Sequence, residues 1–261
     1  MIHGNGLDKM TNIVIGLISF VAIFSGVLLG RFAARRLPSR HLNAETQTAV
    51  TVSVAVIATL SALVLGLMIS AANTSFTART NEIRELSLQL IRVDRNLRRY
   101  GPEADDARAK LHAWASVKLR QLFPEKGQPQ PSSQTAIVLL EGVQDALLAL
   151  NPTNERQKYL RTLCLTLSSQ LIQARWALEI RAGHSIPVPF LVLLIFWLGI
   201  VFASVGLFAP PNSTAMIALL LCSIAVAGGI VLIEELDNPS SGFIRLPSES
   251  LQKALVEITS T

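Results

Sequence analysis

Charge is missing from long stretches of this chain: residues 10–30, 46–78 and 182–233 contain no Asp, Glu, Lys or Arg. Soluble domains run near a quarter charged, whereas only 16% of these 261 residues carry charge and half are hydrophobic. Mean hydropathy is +0.44. The deficit is local, since most of the charge falls between 79 and 181. That pattern excludes an ordinary soluble globule and describes several membrane spans interrupted by one polar segment. Proline is absent between Pro38 and Pro102, so nothing in that interval has to break a helix. Two cysteines cannot build a disulfide framework. Cys164 lies on a leucine-rich face and Cys222 in an apolar run, and both read as small buried residues. The four histidines, His3, His41, His112 and His184, are far apart, and none stands at metal-ligand spacing. A phosphate-cradling glycine loop, a G-x-S-x-G elbow and an H-E-x-x-H pair are all missing. The expectation is a protein that is not an enzyme and holds no cofactor or metal.

The net charge of +5 comes from basic residues interleaved with acids. Anionic lipid headgroups account for such an excess near membrane spans, and nucleic acid is not expected as a partner.

What the chain does contain is helix. The first 11 residues lack the basic start and cleavage site of a signal peptide. A first span covers 12–30 and runs into RFAARRLPSRH, which crowds Arg31, Arg35, Arg36 and Arg40 into one short loop. A second span covers 49–72, long enough to cross a bilayer at roughly 20 residues. Beyond it Phe76, Ile83, Leu86, Leu90, Val93, Leu97 and Tyr100 continue at steps of three and four, with Arg79 filling the one gap. One helix therefore leaves the membrane and continues into water, about 75 Å in all at about 1.5 Å per residue.

Residues 73–183 read as a helical extramembrane domain inserted between the second and third spans. Gly101-Pro102-Glu103 ends the long helix and starts the next, which carries Ala107, Leu111, Trp114 and Leu122. PEKGQPQP is a loop by composition. Ser132 or Ser133 caps a helix bearing Ile137, Leu140, Val143 and Leu147. Asn151-Pro152 opens another, with Leu160, Leu163, Leu167, Leu171, Ala174 and Leu178 on one side and Gly183 as its stop. Spans at 185–209 and 213–233 follow, and 237–261 forms a tail with a short amphipathic helix. The fold class is all-α, organised as 1–72, 73–183, 184–236 and 237–261. Both termini and the domain then share one side of the membrane. The arginine-rich first loop favours an extracytoplasmic domain; Arg79, Arg84, Arg175 and Arg181 on the domain side oppose it.

Candidate site residues are few. Ala58, Ala62, Gly66 and Ser70 recur every four residues in the second span, as do Ala218, Cys222, Ala225 and Gly229 at similar steps in the fourth. Gly26, Gly30, Gly199 and Ala203 add small residues to the first and third. Small residues permit close helix packing in lipid, either inside one bundle or between subunits around a pore. Thr51, Ser53, Thr59 and Ser61 supply hydroxyls for a weakly polar lining, although such hydroxyls also bond their own backbone. Glu234, Glu235 and Asp237 close the fourth span. They read as solvated boundary acids, with a cation-attracting ring or partnership with Arg79 or Arg84 as alternatives. Arg92, Asp94, Arg95, Arg98 and Arg99 read as a solvated helix face with one i,i+4 pair, Asp94 and Arg98, or as a partner contact.

Four phrases then resemble a known family: YGPEADDARAKL, SIPVPFLVLLIFW, FASVGLFAPPN and ELDNPSSGFIRL. Together they are similar to the bestrophin-like domain family of bacterial membrane proteins, over roughly Val50 to Leu255. Asp237, Ser241 and Gly242 agree with that pattern; Pro211, Asn238 and Ser240 stand where an arginine, an arginine and an aromatic are common. The resemblance implies a multi-pass protein of the bacterial inner membrane. Kinship with bestrophins, which are oligomeric anion channels, implies a homo-oligomer that passes small ions along its second span. The alternative is a non-conducting scaffold or sensor whose domain binds a protein or lipid.

Overall fold

A computed structural model of the chain describes residues 4–38, 43–124, 130–180, 186–237 and 246–259, with side chains from residue 13 onward. The described residues form eight α-helices: α1 (Gly4–Arg36), α2 (Ala44–Tyr100), α3 (Asp105–Leu122), α4 (Ser133–Ala149), α5 (Glu155–Ile180), α6 (Val188–Phe208), α7 (Ser213–Asp237) and α8 (Glu249–Thr259). Arg40, His41, Arg181, the Gly183 stop, the expected third-span start at Ser185 and the motif positions Asn238, Ser240, Ser241 and Gly242 lie outside the described residues, as do 125–129 of the expected loop.

Among the described residues four helices are long and apolar enough to cross a bilayer: Ile13–Arg36, α2, α6 and α7. Without proline or any charge between Glu45 and Arg79, α2 runs unbroken for 57 residues. Contacts divide the chain into two compact units, one of residues 3–76 and 184–244, the other of 1–2, 77–183 and 245–261. Helix α2 supplies residues to both.

In the first unit α1 packs on α6 and α7. Close approach to α6 depends on glycine: a Cβ on Gly26 would lie 2.5 Å from the Gly199 carbonyl oxygen, and one on Gly30 would strike the Ala203 carbonyl. Ile23, Met68, Ala72, Leu194, Ile230 and Ile233 are buried together. The α6–α7 turn closes through Asn212, whose side chain accepts the Ala215 N–H at 2.8 Å.

The second unit is a helical bundle. Ile83, Leu86, Leu90, Val93, Leu97 and Tyr100 are all buried, facing Leu111, Trp114, Leu140, Val143, Leu147, Leu160 and Leu171. Gly101 takes φ +127, and the chain makes one 3-10 turn, Pro102–Ala104, before α3 begins at Asp105. Proline therefore opens this turn rather than α3 itself. Ser132 caps α4, accepting the Thr135 N–H at 3.1 Å. The cap of α5 is Asn154, which accepts the Gln157 N–H at 2.8 Å, so the helix opens three residues beyond the predicted Asn151-Pro152 start. Gln157 in turn accepts the N–H of Thr153, the residue before the cap, at 2.8 Å. Leu251, Ala254 and Ile258 of α8 join this same core, so the tail helix is part of the bundle rather than an appendage.

Candidate functional site

Helix geometry at 3.6 residues per turn sorts the membrane half of α2 into three faces. Ser61, Met68 and Ala72 form the covered one, with Ser61 only 2% exposed. A second face, Val52, Val56, Leu60, Leu63 and Leu67, is exposed and made of large apolar groups. The third runs Thr51, Ala55, Thr59, Ala62, Gly66, Ser70 and Asn73, at steps of three and four. All seven are exposed and none is a large apolar residue. A Cβ built on Gly66 meets nothing within 4 Å.

The four expected lining hydroxyls therefore separate. Thr51 and Thr59 share the small, polar face, and Ser53 is exposed on another side. Ser61 points into the unit's own packing, which removes it from any exposed lining. Ser53, Thr59 and Ser61 each donate to the backbone carbonyl four residues earlier, at 2.8–2.9 Å, which satisfies the hydroxyls without a neighbouring helix. Of the predicted packing set, Ala58 is half-buried while Ala62, Gly66 and Ser70 are uncovered. Ala218, Cys222 and Ala225 of α7 are also exposed. That corrects the expectation of a buried Cys222: its helix turns Ser223, Ala227 and Ile230 inward instead. Small residues thus hold α1 to α6 within the chain, whereas Ala62, Gly66 and Ser70 of α2 and Ala218, Cys222 and Ala225 of α7 face outward.

Two further groups depart from expectation. Glu234, Glu235 and Asp237 are buried rather than solvated, and so is Arg79; Arg84 is exposed. Asp94 belongs to no solvated face, because its side chain is fully buried where α2 meets α3. Arg98 Nη2 donates to its Oδ2 at 3.1 Å, Arg108 Nε donates to Oδ1 at 3.1 Å, and His112 Nε2 stands 2.8 Å from Oδ1. Burial alone would raise the Asp94 pKa, but these three groups outweigh it and hold the carboxyl below its usual range. Sequence spacing reveals only Arg98; Arg108 and His112 come from α3.

Lys118, a residue on which no expectation was placed, is a further buried charge. Its Nζ donates to Gln121 Oε1 at 3.0 Å and lies 3.7 Å from Glu179 Oε1, while Arg175 grips Glu179 with two bonds of 2.9 and 3.0 Å. Burial depresses the Lys118 pKa, against the pull of Glu179. Burial also pushes the Cys164 thiol up to about 12, which makes it inert. No cluster of three His, Cys, Asp or Glu side chains fit to hold a metal occurs among the described residues.

Four apolar helices and an uncovered polar stripe on one of them define a multi-pass helical membrane protein. Residues 21–251 match the Bestrophin-like domain, and the chain belongs to that family. Among curated proteins none matches the sequence. Solved structures do. Two point-mutant crystal structures of a bacterial bestrophin homologue from Klebsiella pneumoniae superpose with TM-scores of 0.64 and 0.65 at 17% and 16% identity. Each alignment covers 95% of this chain, and 99% and 97% of theirs. A mutant of a protein described as a membrane protein aligns at TM-score 0.65 and 16% identity, covering 95% of this chain and 97% of its own. At such identities the likeness establishes the fold alone.

Proposed function

We propose that this protein is a homo-oligomeric ion channel of the bacterial inner membrane, with copies of α2 arranged around one pore. The observation that carries the proposal is the exposed face Thr51–Ala55–Thr59–Ala62–Gly66–Ser70–Asn73. A helix meeting only lipid has no use for hydroxyl and amide groups on one side while Val52, Val56, Leu63 and Leu67 occupy the side beside it. Hydroxyls and small side chains suit a wet, narrow path, and large apolar groups suit lipid or a neighbouring helix. Membership of the bestrophin-like family supports the same reading. Cys222 and Ala225 of α7, small and exposed, let neighbouring copies approach closely. Glu235 and Asp237, buried at the end of α7, and Arg79 and Arg84, beyond the span of α2, are candidate charges of the membrane boundary.

The test is reconstitution. Purified protein in liposomes carries Cl⁻, Na⁺ or K⁺ down an imposed gradient, and its mass in detergent is a multiple of the 28.3 kDa chain. A monodisperse monomer with flux equal to that of empty vesicles refutes the channel and leaves the membrane-anchored scaffold or sensor.

A further inference from the structure

Between α2, α6 and α7 the membrane unit leaves a groove of about 570 Å³, within the range of ligand-holding pockets, roughly 300–1,000 Å³. Val54, Ala58, Val205, Phe208 and Leu219 make most of its wall hydrocarbon, and Gln47 supplies a polar group at one end. Pro210 also lines it, and the Pro210 carbonyl accepts a hydrogen bond from Arg31 Nη1 at 3.3 Å. That bond fixes the last turns of α1 to the rim. Arg35 and Arg36 are exposed on those same turns. Across the described residues 31–38, 43–51 and 209–215, Glu45 is the one acid to set against these three arginines.

We propose that the groove holds an acyl chain of an anionic phospholipid, with the phosphate headgroup among Arg31, Arg35 and Arg36. Charge decides between occupants. A second copy of the chain brings another basic rim to this end of the unit, and the rims repel. A zwitterionic lipid fills the groove but supplies no net counter-charge. An anionic lipid supplies both the hydrocarbon and the missing negative charge. The inference rests on the membrane placement of the chain; because Thr51 and Ala55 also line the groove, a lipid there confines the conduction path of α2 to Thr59 and beyond.

Native mass spectrometry of the delipidated full-length protein tests it, with phosphatidylglycerol titrated against phosphatidylcholine of the same acyl chains. Phosphatidylglycerol adducts form at lower lipid concentration. The double substitution Arg35→Gln and Arg36→Gln, on exposed side chains, weakens the preference by about fivefold for each guanidinium removed. Val205→Trp fills the groove and removes the adduct while the oligomeric mass is unchanged; Leu219→Trp serves if that variant is not monodisperse. Equal binding of the two lipids, a preference untouched by the arginine substitutions, or full binding to the groove-filled variant overturns the proposal. So does a disulfide between two copies bearing Val205→Cys, which places a neighbouring subunit in the groove.

Discussion

Replacing Gly66 by leucine adds an isobutyl group where nothing in the same chain lies within 4 Å of the new Cβ. The effect on the isolated fold follows from helix propensity alone. Glycine in a helix interior is about 0.8–1.0 kcal/mol worse than alanine, and leucine ranks close to alanine. With no clash to offset that gain, the variant is about as stable as the parent or slightly more so, a thermal midpoint raised by about 2 °C at this size. In a pore the outcome is different. Each subunit adds one large apolar group at the same level of the channel, and a ring of such groups makes a dewetting constriction. Liposome flux falls on the order of tenfold, with the midpoint in detergent and the yield preserved. Differential scanning fluorimetry reports the first quantity and a fluorescent ion-flux assay the second. Flux equal to the parent, in a variant of unchanged oligomeric mass, refutes the placing of this face on the conduction path. A fall in both stability and flux shows instead that Gly66 is packed against another helix.

Gly30→Ala behaves oppositely, because its Cβ strikes backbone of α6; overpacking of about 1–3 kcal/mol lowers the thermal midpoint and the yield of folded protein. Ser61→Ala, on the covered face of α2, leaves flux within about twofold of the parent in the same vesicle assay, whereas Thr59→Leu reduces it. Asp94→Asn removes the charge that Arg98, Arg108 and His112 converge on. Breaking a buried pair costs about 3–5 kcal/mol, and the partial exposure of Arg108 and His112 (18% and 24%) puts the loss near the low end. A midpoint lowered by about 6–12 °C follows, and a shift under 2 °C would contradict it. The pH dependence has a definite sign. Since the Asp94 carboxyl is held below 3.8 in the fold, its stabilisation is complete above that value and is lost as the pH falls through the lowered folded pKa; melting curves of the parent and Asp94→Asn converge in acid.

Much of the fold is legible in residue order. The charge gaps mark the spans, and Ile83 to Tyr100 at steps of three and four name the buried side of the second half of α2. Ser132 marks a cap. Which side of a membrane helix is covered is not legible, because lipid tails are as apolar as leucine. Thr59 and Ser61 look alike in sequence, and only the burial of one side of α2 separates them. The same holds for Cys222, in a helix apolar on every side. Asp94 eluded the reading for another reason: two of its partners lie 14 and 18 residues away on α3, and spacing rules reach only one helix. The acids at 234–237 sit at a boundary where hydropathy fits burial and exposure equally well.

The seating of α8 has a consequence for biosynthesis. Leu251, Ala254 and Ile258 complete a core whose other members come from 83–171, yet α6 and α7 are translated between them. While the ribosome is threading the last two spans into the bilayer, the earlier bundle waits with a bare hydrophobic strip. Only after α7 has left the translocon can the nascent chain close it. Vectorial synthesis therefore makes the bundle the last part of the molecule to mature, and a ribosome stalled after α7 exposes a chaperone-binding surface that full-length protein hides.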